Sequence, residues 1–182
     1  LGLIVSFLSC LSYSQIEEYY PYKVEESASN YGNTGILELP NARFMKEASL
    51  RFNFSSSFPN EFTSLTASPF HWMEATYRYV EIKNRKYGPS NYSGNQTAKD
   101  KGFDLKIKLL DEGTIIPAIA VGLRDLAGTA VFASEYLVAS KRFGRLDLTG
   151  GIGWGLLGSA DNFSNPLYSL SDSFIVLRRH GI

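Results

Sequence analysis

The side chains able to do chemistry are few and scattered. His71 and His180 are the only histidines, and they sit in unrelated contexts. His71 lies between Phe70 and Trp72 at the start of an apolar–polar run, where a packed or interfacial imidazole is the expected role. There is no G-x-S-x-G, no H-E-x-x-H and no Cys/His grouping at metal-ligand spacing, so neither a metal nor another cofactor is implied. Gly150-Gly151-Ile152-Gly153-Trp154-Gly155 is glycine-rich, but a phosphate loop needs a helix after it and the pattern here is that of a strand. Glycine on the crowded inner face of a curved strand accounts for it. Carboxylates are numerous enough for a glycosidase-type pair. Glu74 and Glu135 are the mid-strand glutamates that could face one interior, with Arg78, Arg124 and Lys141 available to them. Semi-buried charges need partners, so pairing rather than catalysis is the expected role. What remains is a set of ionic residues in mid-strand positions: Arg51, Arg78, Lys106, Lys108, Arg124 and Glu135.

The elements that carry them alternate with period 2. In residues 49–55, Leu50, Phe52 and Phe54 alternate with Arg51, Asn53 and Ser55. Between Trp72 and Glu81, Met73, Ala75, Tyr77 and Tyr79 alternate with Glu74, Thr76, Arg78 and Val80. Phe103, Leu105, Ile107 and Leu109 face away from Asp104, Lys106 and Lys108. Segments 115–124, 131–141 and 146–154 continue the pattern, and Thr34 to Pro40 reads as a short strand. Asp111 to Thr114 and Arg142 to Arg145 read as short turns, while Lys83 to Lys101 and Ser159 to Ser173 read as long polar loops. The expected fold is all-β, an antiparallel meander. One face is bulky and apolar; the other mixes charges with Ala118, Ala120, Gly122, Gly151 and Gly153, as a wet, crowded interior would. With strands near the length that crosses a bilayer and short turns opposing long loops, an outer-membrane β-barrel, or an open curved part of one, leads. A two-layer sandwich with one wet face shows the same alternation and stays open.

The first residues differ in composition. Leu1 to Leu11 is an apolar run of signal-peptide length, and the small residues Ser12 and Ser14 place a cut before Gln15. Residues 1–14 are therefore expected to be a signal peptide with a truncated start, 15–33 a polar N-terminal arm, and 34–182 an incomplete barrel segment. Cys10 is the single cysteine, so no disulfide can form within the chain. Acylation of Cys10 would make it the first residue of a lipoprotein; Phe7, three positions before it, departs from the usual Leu, which favours loss of Cys10 with the signal.

At 182 residues the chain has room for one domain. Its 18 Lys+Arg balance 18 Asp+Glu, so no net field draws it to nucleic acid. Mean hydropathy is that of a soluble protein, a test with little power against a barrel whose strands average out.

Gly35-Ile36-Leu37-Glu38-Leu39-Pro40-Asn41-Ala42-Arg43, followed by Leu50-Arg51-Phe52-Asn53, resembles the opening of the YjbH family. Pro69 to Tyr79, Lys101 to Lys106, Pro117 to Asp125, Ser134 to Lys141 and Gly151 to Gly155 extend the resemblance, in order and spacing, over roughly residues 32–175. Family members are several times longer, so the resemblance implies an N-terminal piece. It further implies an outer-membrane protein of exopolysaccharide biosynthesis or export, non-catalytic, in contact with outer-membrane lipid, polysaccharide and other export proteins. In that setting the six ionic residues would line a lumen and meet hydrated polymer. The alternative is a soluble exported β-sandwich binding carbohydrate through Tyr87, Tyr92 and Tyr168.

Overall fold

The computed structural model describes residues 26–158 and 164–169. The expected signal segment, with Cys10, lies outside them, as does His180. Seven strands form one antiparallel meander: β3 (Ser49–Ser57), β4 (Asn60–Phe70), β5 (Met73–Lys86), β6 (Thr97–Leu110), β7 (Ala118–Arg124), β8 (Ser134–Phe143) and β9 (Leu146–Gly155). A small hairpin, β1 (Gly35–Ile36) with β2 (Leu39–Pro40), stands apart from it. The sheet does not close into a barrel: β3 and β9 are its two edges. Among the described residues the other sheet is the two-stranded hairpin.

Sequence alternation fixes the two faces through the register. Phe52 opposes Leu65, Leu65 opposes Tyr77, and Tyr77 opposes Phe103, so one row of bulky apolar side chains crosses four strands. This face is open: Leu50 is 68% and Phe52 71% exposed. The other face carries Thr66, Arg78, Asp104, Lys106, Ala120 and Tyr136 and is buried. Burial is thus inverted relative to a soluble sheet, with charge covered and hydrocarbon uncovered.

β4 was not apparent from the sequence. Its residues Thr63, Ser64, Thr66 and Ser68 are small and polar on both faces, so no apolar alternation marks it. Hydroxyl pairing holds it instead, as between Thr66 and Thr76 across strands (2.9 Å). The expected long loop at Lys83 to Lys101 is shorter than its polarity suggested. β5 and β6 are 14 residues each and extend into it, leaving 87–96 with one helical turn, α1 (Ser90–Ser93). At one end of the sheet the connections are Phe58-Pro59, 87–96 and 125–133; at the other they are His71-Trp72, 111–117 and Gly144-Arg145.

What covers the polar face is the stretch 26–48. The expected arm at 15–33 is not solvated where it is described: Ser29, Tyr31, Asn33 and Thr34 are all buried. Tyr31 packs against Phe62 and Phe132 with ring centroids 5.0 and 6.2 Å away. Ala42 joins Ala118, Ala120, Tyr136 and Val138 in a second small cluster. Close approach requires glycine at several positions, Gly32 and Gly122 among them. Gly32 has φ +97° and a Cβ there would lie 1.9 Å from Ser64 Oγ. Gly122 lies beneath the Tyr136 ring, where a Cβ would meet Cζ at 2.1 Å. No helix among the described residues is long and apolar enough to cross a membrane.

Candidate functional site: a plugged ionic face

Five of the six ionic residues singled out by sequence come together on the buried face. Arg51 opposes Thr66, which opposes Thr76 and through it Asp104; Lys106 sits between Glu74 and Gly122; Lys108 opposes Ala120 and Arg124 opposes Ser134. Glu135 does not join them. It opposes Leu123 and Trp154 on the other face and accepts a hydrogen bond from Asn165 Nδ2 (2.8 Å). Reading Glu135 with Glu74 therefore fails on strand parity, and the two carboxylates cannot act as a pair.

Glu74 is the hub, and sequence reasoning gave it the wrong partner. Its counter-ion is Lys106 (3.7 Å), not Arg78 or Arg124. Three donors of the covering stretch converge on its carboxylate: the Thr34 N–H (3.0 Å), the Thr34 hydroxyl (2.6 Å) and the Met45 N–H (2.7 Å). Lys106 completes the cradle by donating to the Thr34 carbonyl (3.0 Å) and to the Arg43 carbonyl, with Nζ 4.4 Å from the Phe44 ring centre. Both side chains are essentially inaccessible, Lys106 at 1%. A carboxylate and an ammonium in such a place are stable only when their lone pairs and protons are satisfied, and here main-chain groups do that.

The other cations hold the same stretch. Arg51 donates to the Glu26 carbonyl (2.9 Å) and Arg124 to the Glu38 carbonyl (3.1 Å). The Arg124 guanidinium stacks 4.1 Å from the Tyr31 ring centre, while Arg78 lies 5.4 Å from Tyr31 and 5.2 Å from Phe132 and pairs with Asp104 (2.9 Å). Burial raises the Tyr31 phenol, with the Arg124 charge opposing it, so the ring remains neutral. Lys108, half-buried, reaches Asp111 (2.9 Å) at the rim. The charged face is thus a socket and residues 26–48 are its plug.

A second latch lies at the His71-Trp72 end. Arg43 grips Asp147 through two bonds (3.0 and 2.7 Å) and also contacts Glu112. Burial works to raise the Glu112 carboxyl, but the Arg142 N–H and the Arg43 guanidinium outweigh it and leave it lowered. Neither Arg43 nor Asp147 stood out in the sequence, because their contact spans 104 positions. A cavity of about 470 Å³ opens between the β1–β2 hairpin and β8–β9, lined by Ile36, Leu39, Pro40, Tyr136, Thr149 and Gly151. Glycines 150, 151 and 153 belong to strand β9, in keeping with the strand reading of that run.

His71 is exposed at a turn, 4.0 Å from Glu47. No group of three His, Cys, Asp or Glu that could hold a metal occurs among the described residues. Tyr87 and Tyr92 are exposed in the 87–96 connection, and Tyr168 falls in the short helical turn Pro166–Ser169.

Residues 27–181 match the profile of the YjbH exopolysaccharide biosynthesis proteins. The chain belongs to the YjbH family. Among curated proteins, the uncharacterized lipoprotein YjbH of Escherichia coli (strain K12) is 41% identical over 175 residues, which is 96% of this chain and 25% of that protein. The chain therefore spans about a quarter of the length of the curated relative it matches. No solved structure matches it. The match begins at residue 27, so the plug lies within the family's own sequence.

Proposed function

We propose that this YjbH chain is part of an outer-membrane β-barrel that takes part in exopolysaccharide export without catalysing a reaction. The observation that carries the reading is the inverted sheet: Arg78 is 0% exposed on the covered face while Phe52 is 71% exposed on the open one. In water such a face costs about 25 cal/mol per Å² of apolar surface left wet; in lipid it costs nothing. Strands of 9 to 14 residues at β3, β4, β5, β6, β8 and β9 are long enough to cross. Glu74, Lys106, Arg51 and Arg124 then face a lumen and hold its plug.

The relative's description as a lipoprotein favours Cys10 as an acylated N-terminal anchor over loss of Cys10 before Gln15. Anchor and barrel are separable. Cells expressing the full-length gene are fractionated, once as such and once with residues 1–14 replaced by a non-lipoprotein export signal. The barrel reading expects both in the detergent-requiring outer-membrane fraction, with acyl label only on the first. Release of the second form into the soluble periplasm would overturn the barrel.

A further inference from the structure

The open face changes character along β5 and β6. Beyond the apolar pair Tyr77 and Phe103, packed at 5.1 Å, the same face presents Tyr79 opposite Lys101 and then Glu81 opposite Lys99. Lys83 follows, tied to Glu61 (3.0 Å) and Glu81 (2.9 Å). Arg85 and Lys86 continue to the tip, where Lys86 contacts Ser90. Five cations, Lys83, Arg85, Lys86, Lys99 and Lys101, thus meet two carboxylates, Glu61 and Glu81, on this hairpin end. Asp100 is buried on the other face with Thr129 and does not offset them. Lys101 has no side-chain partner among the described residues, and both Lys99 and Lys101 are exposed.

The opposite end of the sheet differs. There Arg43 is held by Asp147 and Glu112, Lys108 by Asp111 and Arg142 by Asp147. On the open face of β5 and β6, the exposed Lys99 and Lys101 lie at the end with the longer connections 87–96 and 125–133, the external side in outer-membrane barrels. Tyr79 stands between the apolar rows and the lysines, the position an interfacial aromatic takes.

We propose that Lys99 and Lys101 form a binding site for the phosphate groups of a membrane glycolipid in the leaflet around this end. The inference rests on the outer-membrane reading. Placement on the open face, contiguous with Phe103, favours a lipid headgroup over polymer inside the plugged face, because a polymer there would meet the opposite side of the strands. Phosphate recognition follows from paired ammonium groups at the edge of a hydrocarbon band.

The test uses the full-length protein in detergent, with bis-phosphorylated lipid A and fully dephosphorylated lipid A as probes. Wild type should bind the phosphorylated form in a salt-sensitive way. Lys99→Glu/Lys101→Glu should weaken binding by at least roughly thirtyfold, about fivefold for each cation lost. Lys99→Gln/Lys101→Gln, free of any new clash with Glu81, should lose most of the affinity while keeping the folded, heat-shifted gel band. Lys46→Glu, at the other end, should bind as wild type does. Equal binding by the Gln pair, equal binding of both lipid A forms, or stronger capture of an acidic polysaccharide than of lipid A would each overturn the site. Recovery of the protein from the soluble periplasm would instead overturn the barrel reading; membrane recovery with unchanged lipid binding removes this inference alone.

Discussion

Glu74→Gln is the sharpest perturbation of the plug. The substitution keeps shape but removes the charge that faces Lys106 at 3.7 Å in a site with almost no solvent. An amide presents one acceptor oxygen where the carboxylate receives three hydrogen bonds, from Thr34 N, Thr34 Oγ1 and Met45 N. At least one main-chain N–H is left without its partner, and Lys106 is left as an uncompensated buried charge. Removing one member of a buried ion pair costs about 3–5 kcal/mol, more than the ~0–1 kcal/mol of an exposed pair. Lys106→Met alone should cost a similar amount by stranding the carboxylate. The double variant removes both charges together, so it should cost about 2 kcal/mol less than the sum of the singles. Urea titration of the full-length protein in micelles, read by tryptophan fluorescence, gives the cycle; limited proteolysis at residues 26–48 reports the plug. Additive singles, or a Glu74→Gln protein within about 0.5 kcal/mol of wild type with its plug still protected, would refute the socket account.

Leu105→Arg or Val121→Arg places a cation on the open face and should cost about 2–4 kcal/mol near mid-membrane, seen as loss of the heat-shifted folded band, whereas Lys108→Glu at the half-exposed rim should assemble. Lys106 does not share that tolerance, since its ammonium is buried against Glu74 and two carbonyls. Gly122→Ala forces a methyl into the Tyr136 ring, 2.1 Å from Cζ, and should lower stability by about 1–3 kcal/mol in the same urea assay. Glu112 is held below its ordinary range, so its contribution is present above the unfolded carboxylate pKa and is lost as pH falls through the lower folded value. Proteolysis near Arg43 should therefore be unchanged from about pH 8 to 5 and rise only below about pH 4, near the free carboxylate value. A rise near neutrality would exclude Glu112 as its origin.

Period-2 alternation was enough to place Arg51, Arg78, Lys106, Lys108 and Arg124 on one face, because apolar and aromatic residues alternate with polar, small or charged ones along β3, β5, β6 and β7. It failed where alternation carries no hydropathy contrast. β4 mixes Ser and Thr with Phe62, Leu65 and Ala67 so that neither side reads as apolar, and the tips of β5 and β6 are largely polar. Glu135 was misplaced because charge suggested the interior, while register with Leu123 put it outside, covered by Asn165. The plug escaped notice for a different reason. Residues 26–48 are polar, as a solvated arm would be, but their main-chain groups serve as counter-partners to buried ions. Hydrogen bonding of backbone to side chain leaves no trace in side-chain periodicity.

One edge of the sheet makes a demand that the strands themselves do not. β3 and β9 are the sheet's edges; on the outer-membrane reading proposed above their ladder groups need partners, which a further strand on each side would supply. Over β8 and β9 the β1–β2 hairpin leaves Ile36 and Leu39 exposed beside the cavity of about 470 Å³. A neighbour of β9 with a charged inner face, like β5 to β7, would bury its ions against that apolar knob without partners. On the outer-membrane reading, a neighbour of β9 that is apolar inward would cover Ile36 and Leu39. Leu39→Lys tests this in the full-length protein. Leu39 is exposed in the stretch described and would tolerate the change if water lay beyond it. Covered by an apolar strand, the lysine should destabilise assembly by the ~1–3 kcal/mol of an unpaired buried polar group, measured by urea titration in micelles. A neutral result would leave the hairpin facing a wet lumen and remove the case for that strand.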